Sequence, residues 1–153
     1  MHIAIGSDHI AVELKEIVSQ HLKSKDIQVL DVGTDTAERT HYPIFAQRVA
    51  KAVVSKEVDF GILICGTGIG MSISANKVPG IRAACVSDAH SARMSRAHND
   101  ANVLTFGSRI VGPGLALEIV DTWLAQDFHA GRHKVRIDLI KQLDEGEDIT
   151  SLT

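Results

Sequence analysis

Short runs of consecutive apolar residues alternate along this chain with longer stretches in which apolar residues recur every three or four positions. The runs over residues 2–6, 27–32, 60–65, 81–86 and 102–106 are apolar at nearly every position, the pattern of strands covered on both faces. Helices alternate with them from one end to the other, which predicts an α/β fold around a parallel sheet. The first helix carries Ile10, Leu14, Ile17, Val18 and Leu22 at helical spacing after Asp8, a residue suited to capping it. A second starts at Pro43, where a first-turn proline has no N–H to lose. A third covers about 70–77 and stops at Pro79-Gly80. Others are expected over 90–98, over 115–125 with Leu115, Ile119 and Trp123 on one face, and over 135–143. No repeat, linker or low-complexity tract interrupts the pattern, and the acidic stretch 144–148 reads as a solvated end.

Composition narrows the functions this frame can serve. As one domain of 153 residues, the chain should bury about 68–70% of the surface its unfolded form exposes, and it needs neither disulfides nor a structural metal. A net charge of −3, no run of Lys or Arg, and only one Trp, one Tyr and four Phe leave no basic stripe or stacking surface, so nucleic acid is not an expected partner. A membrane is not expected either. Apolar stretches such as 60–65 fall far below the roughly 20 residues of a spanning helix, and residues 1–6 lack a signal peptide's apolar region. The expected location is the cytoplasm. Cys65 and Cys85, with no Cys-x-x-Cys spacing, fit a reducing compartment and give no zinc signature. Most of the eight scattered histidines read as surface residues.

In open α/β sheets, ligands bind beyond the carboxyl ends of the strands where strand order reverses. Those ends here read Gly6-Ser7-Asp8-His9, Asp31-Val32-Gly33-Thr34, Cys65-Gly66-Thr67-Gly68-Ile69-Gly70, Ser87-Asp88 and Gly107-Ser108-Arg109. The third is the strongest signal, because three alternating glycines between a strand and a helix let several N–H groups converge on an anion. It is not an NTPase loop, which needs Gly-Lys-Ser/Thr where this chain has Gly70-Met71-Ser72, nor a cysteine phosphatase loop, which needs Arg at position 71. Met71 also weakens a dinucleotide fingerprint, although Asp88 falls about 20 residues downstream of Gly68 as that reading wants. Cys65 is either strand packing or a thiolate acting as base or nucleophile; its position alone favours packing, and the glycine loop immediately after it brings the two readings level. Cys85, between Ala84 and Val86 in its strand, reads as packing. Arg132 and Arg136 share a face if the last helix begins near them, and with His133 they form a cationic cluster suited to phosphate. Arg109 ends the loop after the last strand, and His98, before that strand, has the chemistry of a general acid or base.

Several segments taken together, in order and spacing, resemble the RpiB/LacAB family of sugar-phosphate isomerases, which includes type B ribose-5-phosphate isomerases. They are Gly6-Ser7-Asp8-His9, Glu38-Arg39-Thr40-His41-Tyr42-Pro43, Ile64 through Gly70, Ala75-Asn76-Lys77, Ser95-Arg96-Ala97-His98-Asn99-Asp100, Phe106-Gly107-Ser108-Arg109 and Gly131-Arg132-His133. The likeness covers nearly the whole chain. It implies a Rossmann-like three-layer α/β/α sandwich with a five-stranded parallel sheet, a homodimer or tetramer, and catalysis with no metal or organic cofactor. The implied substrate is a phosphorylated small sugar, first ribose 5-phosphate interconverted with ribulose 5-phosphate, with allose 6-phosphate, galactose 6-phosphate and four-carbon sugar phosphates as alternatives.

Residue by residue, the resemblance makes Cys65 the base that takes the C2 proton of the open-chain aldose phosphate. Backbone N–H groups of Gly66, Thr67, Gly68, Ile69 and Gly70 would hold the enediolate oxygen, and Thr67 would move hydroxyl protons. His98 would open the furanose ring, with Asp8 near the ring oxygen and hydroxyls and with His9 and Asn99 as substrate contacts. Arg109, Arg132 and Arg136, assisted by His133, would grip the phosphate. The resemblance also implies that the C-terminal helix and tail, about 132–153, reach the site of the partner subunit. One branch of the family has a glutamate base just after the third glycine; Cys65 with Met71 places this chain in the thiol branch. The competing reading from another class is a non-catalytic nucleotide-binding module with Cys65 as packing. A cysteine hydrolase is disfavoured, because no His–Asp arrangement declares itself by spacing.

Overall fold

The computed structural model describes residues 1–151. Its strands are β1 (His2–Ser7), β2 (Gln28–Asp31), β3 (Phe60–Cys65), β4 (Ala83–Cys85) and β5 (Val103–Gly107), all parallel in one sheet of order β2-β1-β3-β5-β4. Side chains alternate between two helical layers, as the period of a strand requires. Ile3, Ile5, Ile62, Ile64, Leu104 and Phe106 pack on one face with residues of α1 (Val12–Ser24), such as Val18 and Leu22, and of α5 (Pro113–Leu124), such as Ile119 and Trp123. Ala4, Leu63, Cys65 and Val103 pack on the other with residues of α2 (Tyr42–Val54) and α3 (Ile69–Ala75). α4 (Ala89–Asn99) adds Ala92 to the first layer, whereas α6 (Ala130–Asp144) lies outside both cores with no residue buried. This is the α/β/α sandwich with a five-stranded parallel sheet that the sequence suggested.

The edges correct the expectation that every strand is covered on both faces. β2 and β4 are shorter than the apolar runs that contain them, and none of their residues is fully buried. Cys85 is accordingly exposed and is not core packing. Asn76, at the end of α3, blunts the outer edge of β4: its Oδ1 accepts the Ala83 N–H at 2.8 Å and its Nδ2 donates to the Ala83 carbonyl at 2.9 Å, in place of a neighbouring strand. Asp8 does not cap the first helix either. α1 starts only at Val12 after Ala11, and the Asp8 carboxylate accepts the N–H of Ile10 at 3.1 Å in a tight turn.

One charge lies inside the frame. Lys15 of α1 is 1% exposed and reaches Asp31, the last residue of β2, and Asp35 in the loop beyond, at 2.6 Å each. Burial acts to lower the pKa of this ammonium, but the hydrogen bonds and charges of the two carboxylates outweigh it and hold the group above the ordinary lysine value. Lys15→Met keeps most of the volume and removes both charge-assisted bonds, so it is expected to cost about 2 kcal/mol in urea titrations near neutral pH. Because the folded value is raised, this contribution is complete below the unfolded lysine value of about 10.4 and is lost as pH rises through the folded value. The stability gap between the two proteins should therefore close only in that alkaline range; a gap that persists there contradicts an ionic origin.

Candidate active site

From β1 the chain goes outward to β2 and then returns to β3 on the other side of β1, so strand order reverses between β1 and β3. That is where a ligand crevice forms in an open α/β sheet. The carboxyl ends that meet there carry Ser7-Asp8-His9 and Cys65 with its glycine loop.

Cys65 is the last residue of β3, 5% exposed, with its side chain in the α2/α3 layer. The Gly68 N–H donates to Sγ at 3.2 Å, which fixes the sulfur against the loop. Gly68 has φ +79°, and a Cβ there would lie 2.7 Å from the backbone of Phe106, so only glycine lets the loop rest on β5. Thr105 Oγ1 donates to the Gly68 carbonyl at 3.1 Å from the same strand. At Gly70 a Cβ would meet the Tyr42 ring at 2.7 Å. The first amides of α3 have no intrahelical acceptor and, with the preceding loop, are available donors to an oxyanion. Thr67 is exposed, with its Oγ1 3.4 Å from the Ile69 N–H. Arg109 donates its backbone N–H to the Gly66 carbonyl at 3.1 Å, and its Cδ would sit 3.7 Å from a Cβ on Gly66, so its side chain lies along the loop. Met71 is fully buried in the α2/α3 core, away from any role as a base.

Asp8 is 7% exposed beside the half-buried His9. His9 is tied to Thr40 by a reciprocal pair: its own N–H donates to Thr40 Oγ1 at 3.3 Å, and the Thr40 N–H donates to His9 Nδ1 at 3.2 Å. Asp8, His9, Cys65, Thr67, the loop Gly66 to Gly70 and Arg109 thus form one group on the carboxyl edge of the sheet.

A second group forms elsewhere. His98 sits in the last turn of α4, and its ring stacks on His133 with centroids 4.2 Å apart and planes 6° from parallel. His129 is 6.4 Å from His98 and donates its backbone N–H to the Ala97 carbonyl at 2.8 Å, which seats the start of α6 on the end of α4. His133 is held below the ordinary imidazole value, first by partial desolvation and then by the neighbouring His98, Arg132, Arg136 and His129. Asn99 ends α4, and its carbonyl accepts from Arg82 Nε at 3.1 Å.

The two groups are at opposite edges of the sheet. α4 follows β4 at the carboxyl edge and runs back to the amino end of β5, about 16 Å for its eleven residues. Arg82, just before β4, and Asn102, just before β5, anchor its end there. One chain therefore brings His98, Asn99, Arg132, His133 and Arg136 together, and does not bring them to its own Cys65. Reasoning from sequence missed Thr40, Tyr42 and His129. The first two lie in a motif, Glu38 to Pro43, that carried the resemblance without an assigned role, and His129 had no local signal at all.

Known proteins resemble this chain over nearly its full length. The Ribose/Galactose Isomerase family profile matches residues 3–140. Ribose-5-phosphate isomerase B of Escherichia coli (strain K12) is 51% identical over 143 residues, covering 94% of this chain and 96% of that protein. D-erythrulose-4-phosphate isomerase of Pectobacterium atrosepticum is 41% identical over 148 residues, covering 96% and 97%. The structure of Clostridium thermocellum ribose-5-phosphate isomerase B superposes with a TM-score of 0.94 at 52% identity, covering 95% of this chain and 99% of that one. The chain belongs to the ribose/galactose isomerase family.

Proposed function

We propose that this protein interconverts ribose 5-phosphate and ribulose 5-phosphate through an enediolate, in a homodimer whose sites are each built from both chains. The observation that carries this reading is the Cys65 thiol, seated by the Gly68 N–H at 3.2 Å in a glycine loop at the switch point of the sheet. The thiolate takes the proton from C2 of the open-chain aldose, and the electron pair moves onto the carbonyl oxygen at C1. Loop amides between Gly66 and Gly70 other than that of Gly68, which is turned to the sulfur, receive the negative oxygen, a role in which losing one preorganised donor costs about 10²–10³ in rate. Thr67 carries the hydroxyl proton from O2 to O1, and Cys65 returns its proton to C1 to give the ketose. His98 opens the furanose ring beforehand, with Asp8 facing the ring oxygen and hydroxyls and Asn99 and His9 contacting the sugar.

Two features support the dimer. The groups holding Cys65 and His98 are at opposite edges of one chain, so a complete set needs a second copy. The thiol loop is also rimmed by exposed apolar side chains: Ile69 and Ile73 of α3, Tyr42 and Ile44 at the start of α2, and Ile10 and Ile110 beside Arg109. In a two-fold dimer the partner's His98, Asn99, Arg132, His133 and Arg136 come to the thiol loop, and Arg109 joins them on the phosphate.

Three outcomes test the reading. In D₂O with ribose 5-phosphate, the native protein should form ribulose 5-phosphate carrying deuterium at C1, with deuterium also entering C2 of the remaining ribose 5-phosphate in the NMR spectrum as the thiol exchanges with solvent, and Cys65→Ser should slow both by about 10²–10⁴. Exchange unaffected by the substitution would return Cys65 to packing. Allose 6-phosphate, galactose 6-phosphate and four-carbon phosphates in the same assay identify the sugar if ribose 5-phosphate is inert.

Mixing inactive Cys65→Ser with inactive His98→Asn should restore about a quarter of the native activity after subunit exchange, because each mixed dimer has one site with both residues intact. No recovery at full exchange would place both residues in one chain's site.

His133, held below the ordinary imidazole value, is largely neutral near pH 7 and gains its charge only as pH falls. A phosphate dianion beside it favours the charged form, so ligand binding near pH 6.5 should take up a proton. Calorimetry in two buffers of different ionisation enthalpy reads that proton, and His133→Gln should reduce the uptake.

A further inference from the structure

We infer that Thr40 fixes His9 as its Nε2–H tautomer, so that His9 presents a hydrogen-bond donor, never an acceptor, to a substrate oxygen. The inference deepens the proposed function, on which the sugar-phosphate ligand rests. A backbone N–H has no other role than to donate, and that of Thr40 ends on His9 Nδ1 at 3.2 Å. The Thr40 hydroxyl approaches the same nitrogen at 3.4 Å while its oxygen accepts the N–H of His9 at 3.3 Å. Nδ1 therefore has to offer its lone pair, and the ring proton goes to Nε2. Placing the proton on Nδ1 instead would set two hydrogens against each other and leave the partly buried amide of Thr40 without an acceptor.

The loop that carries Thr40 is fastened at both ends, which makes the pairing a property of the fold. At its start, Lys15 bonds Asp31 and Asp35, and Asp31 Oδ1 accepts the Gly33 N–H at 2.9 Å. Gly33 is packed so that a Cβ would lie 2.7 Å from the Ser7 backbone nitrogen, directly before Asp8. At the other end stands the pair with His9 itself. His9 borders an open cleft of about 680 Å³ that it shares with Ser108 and Arg109.

A neutral N–H donor suits either a carbonyl oxygen that gains negative charge or a phosphate oxygen that already carries it, and takes no proton from it during turnover. Thr40 is then a positioning residue acting through His9, and the proton transfers remain with Cys65 and His98.

The test has one arm that needs no turnover and one that does. In protein labelled with ¹⁵N at histidine, with His9→Gln used to assign the signal, spectra near pH 8.5, about two units above the ordinary imidazole value, report which ring nitrogen carries the proton. The expected result is a protonated Nε2 and a bare Nδ1; an Nδ1–H form, or an averaged mixture, overturns the inference. In the second arm His9→Gln, whose amide nitrogen falls near the Nε2 position, should lose several-fold in kcat/KM, less than a variant that moves the donor. His9→Asn, whose amide falls near Nδ1, should lose about tenfold or more. Neither should shift the pH profile. Equal loss in the two variants overturns the donor role even with the expected spectrum. A native protein inactive on every sugar phosphate overturns the proposed function and with it the donor's role, while the spectrum alone still decides the tautomer.

Discussion

Every helix between strands of a parallel sheet has to carry the chain back from the carboxyl edge to the amino edge, and here that return separates Cys65 from the cluster around His98. α4 makes the return between β4 and β5, so His98 in its last turn ends at the edge opposite Cys65. Its end is held by an ionic knot. Asp100 takes the left-handed conformation, φ 45°, which costs a non-glycine residue about 1–2 kcal/mol, and two arginines offset that cost. Arg96 bonds Asp100 Oδ1 and the Ala101 carbonyl at 2.8 Å each, with its guanidinium 4.6 Å from the Phe60 ring centre and 5.5 Å from that of Trp123. Arg82 bonds Asp100 Oδ2 at 2.9 Å and the Asp100 carbonyl from two of its nitrogens. The direction in which His98 and Asn99 leave α4 is therefore set by charges within the helix, at its C-terminal cap and just before β4.

The other half of the site depends on close approach of backbone to backbone. Gly68 lies on Phe106, and a Cβ at Gly107 would lie 2.5 Å from the Thr67 backbone, so loop and strand touch wherever either would carry a side chain. This contact turns the Gly68 N–H toward the sulfur of Cys65. A larger residue at either position would lift the loop and remove the donor, without touching the thiol. The alternating glycines thus serve geometry first, and the anion-binding character of the loop follows from it.

The sequence made the frame legible because burial on both faces leaves an unbroken apolar run, and the three central strands have that environment. It misled at the edges, where the same apolar letters border solvent: Ala83 and Ala84 are only half-buried against the core, and Cys85 is exposed. Asp8 looked like a helix cap because Asp is a frequent one, but the chain makes a further turn before Val12. The glycine loop and Cys65 were legible because a strand, a nucleophile and three glycines are adjacent in the chain. Thr40 and His9 are 31 residues apart, and His98 and His133 lie 35 apart, so only the fold shows that they touch. The resemblance implied that residues from about 132 serve a partner's site, but the place of His98 with them, away from Cys65, was invisible in the letters: order along the chain says nothing about which end of a helix faces which end of a strand.

α6 is the element whose charges run against its own stability. Gly131 breaks the helix near its start with φ 49° and ψ −128°, so regular helix begins at about Arg132. Its first turn then carries Arg132, His133 and Arg136 close by, with no acidic residue, at the end of a helix that favours negative charge. Nothing on it is buried, and Val135 and Leu143 are 62% and 54% exposed. The regular helix left after Gly131, 132–144, has no packed face and is marginal alone in water. What holds it is local: His129 on Ala97, the ring of His133 on His98, and Asp144 accepting the Gly80 N–H at 2.7 Å. An anion at that end satisfies the free amides, the dipole and the clustered cations together. The phosphate of the proposed substrate is such an anion, and in the proposed reading its binding would steady the helix that carries these arginines.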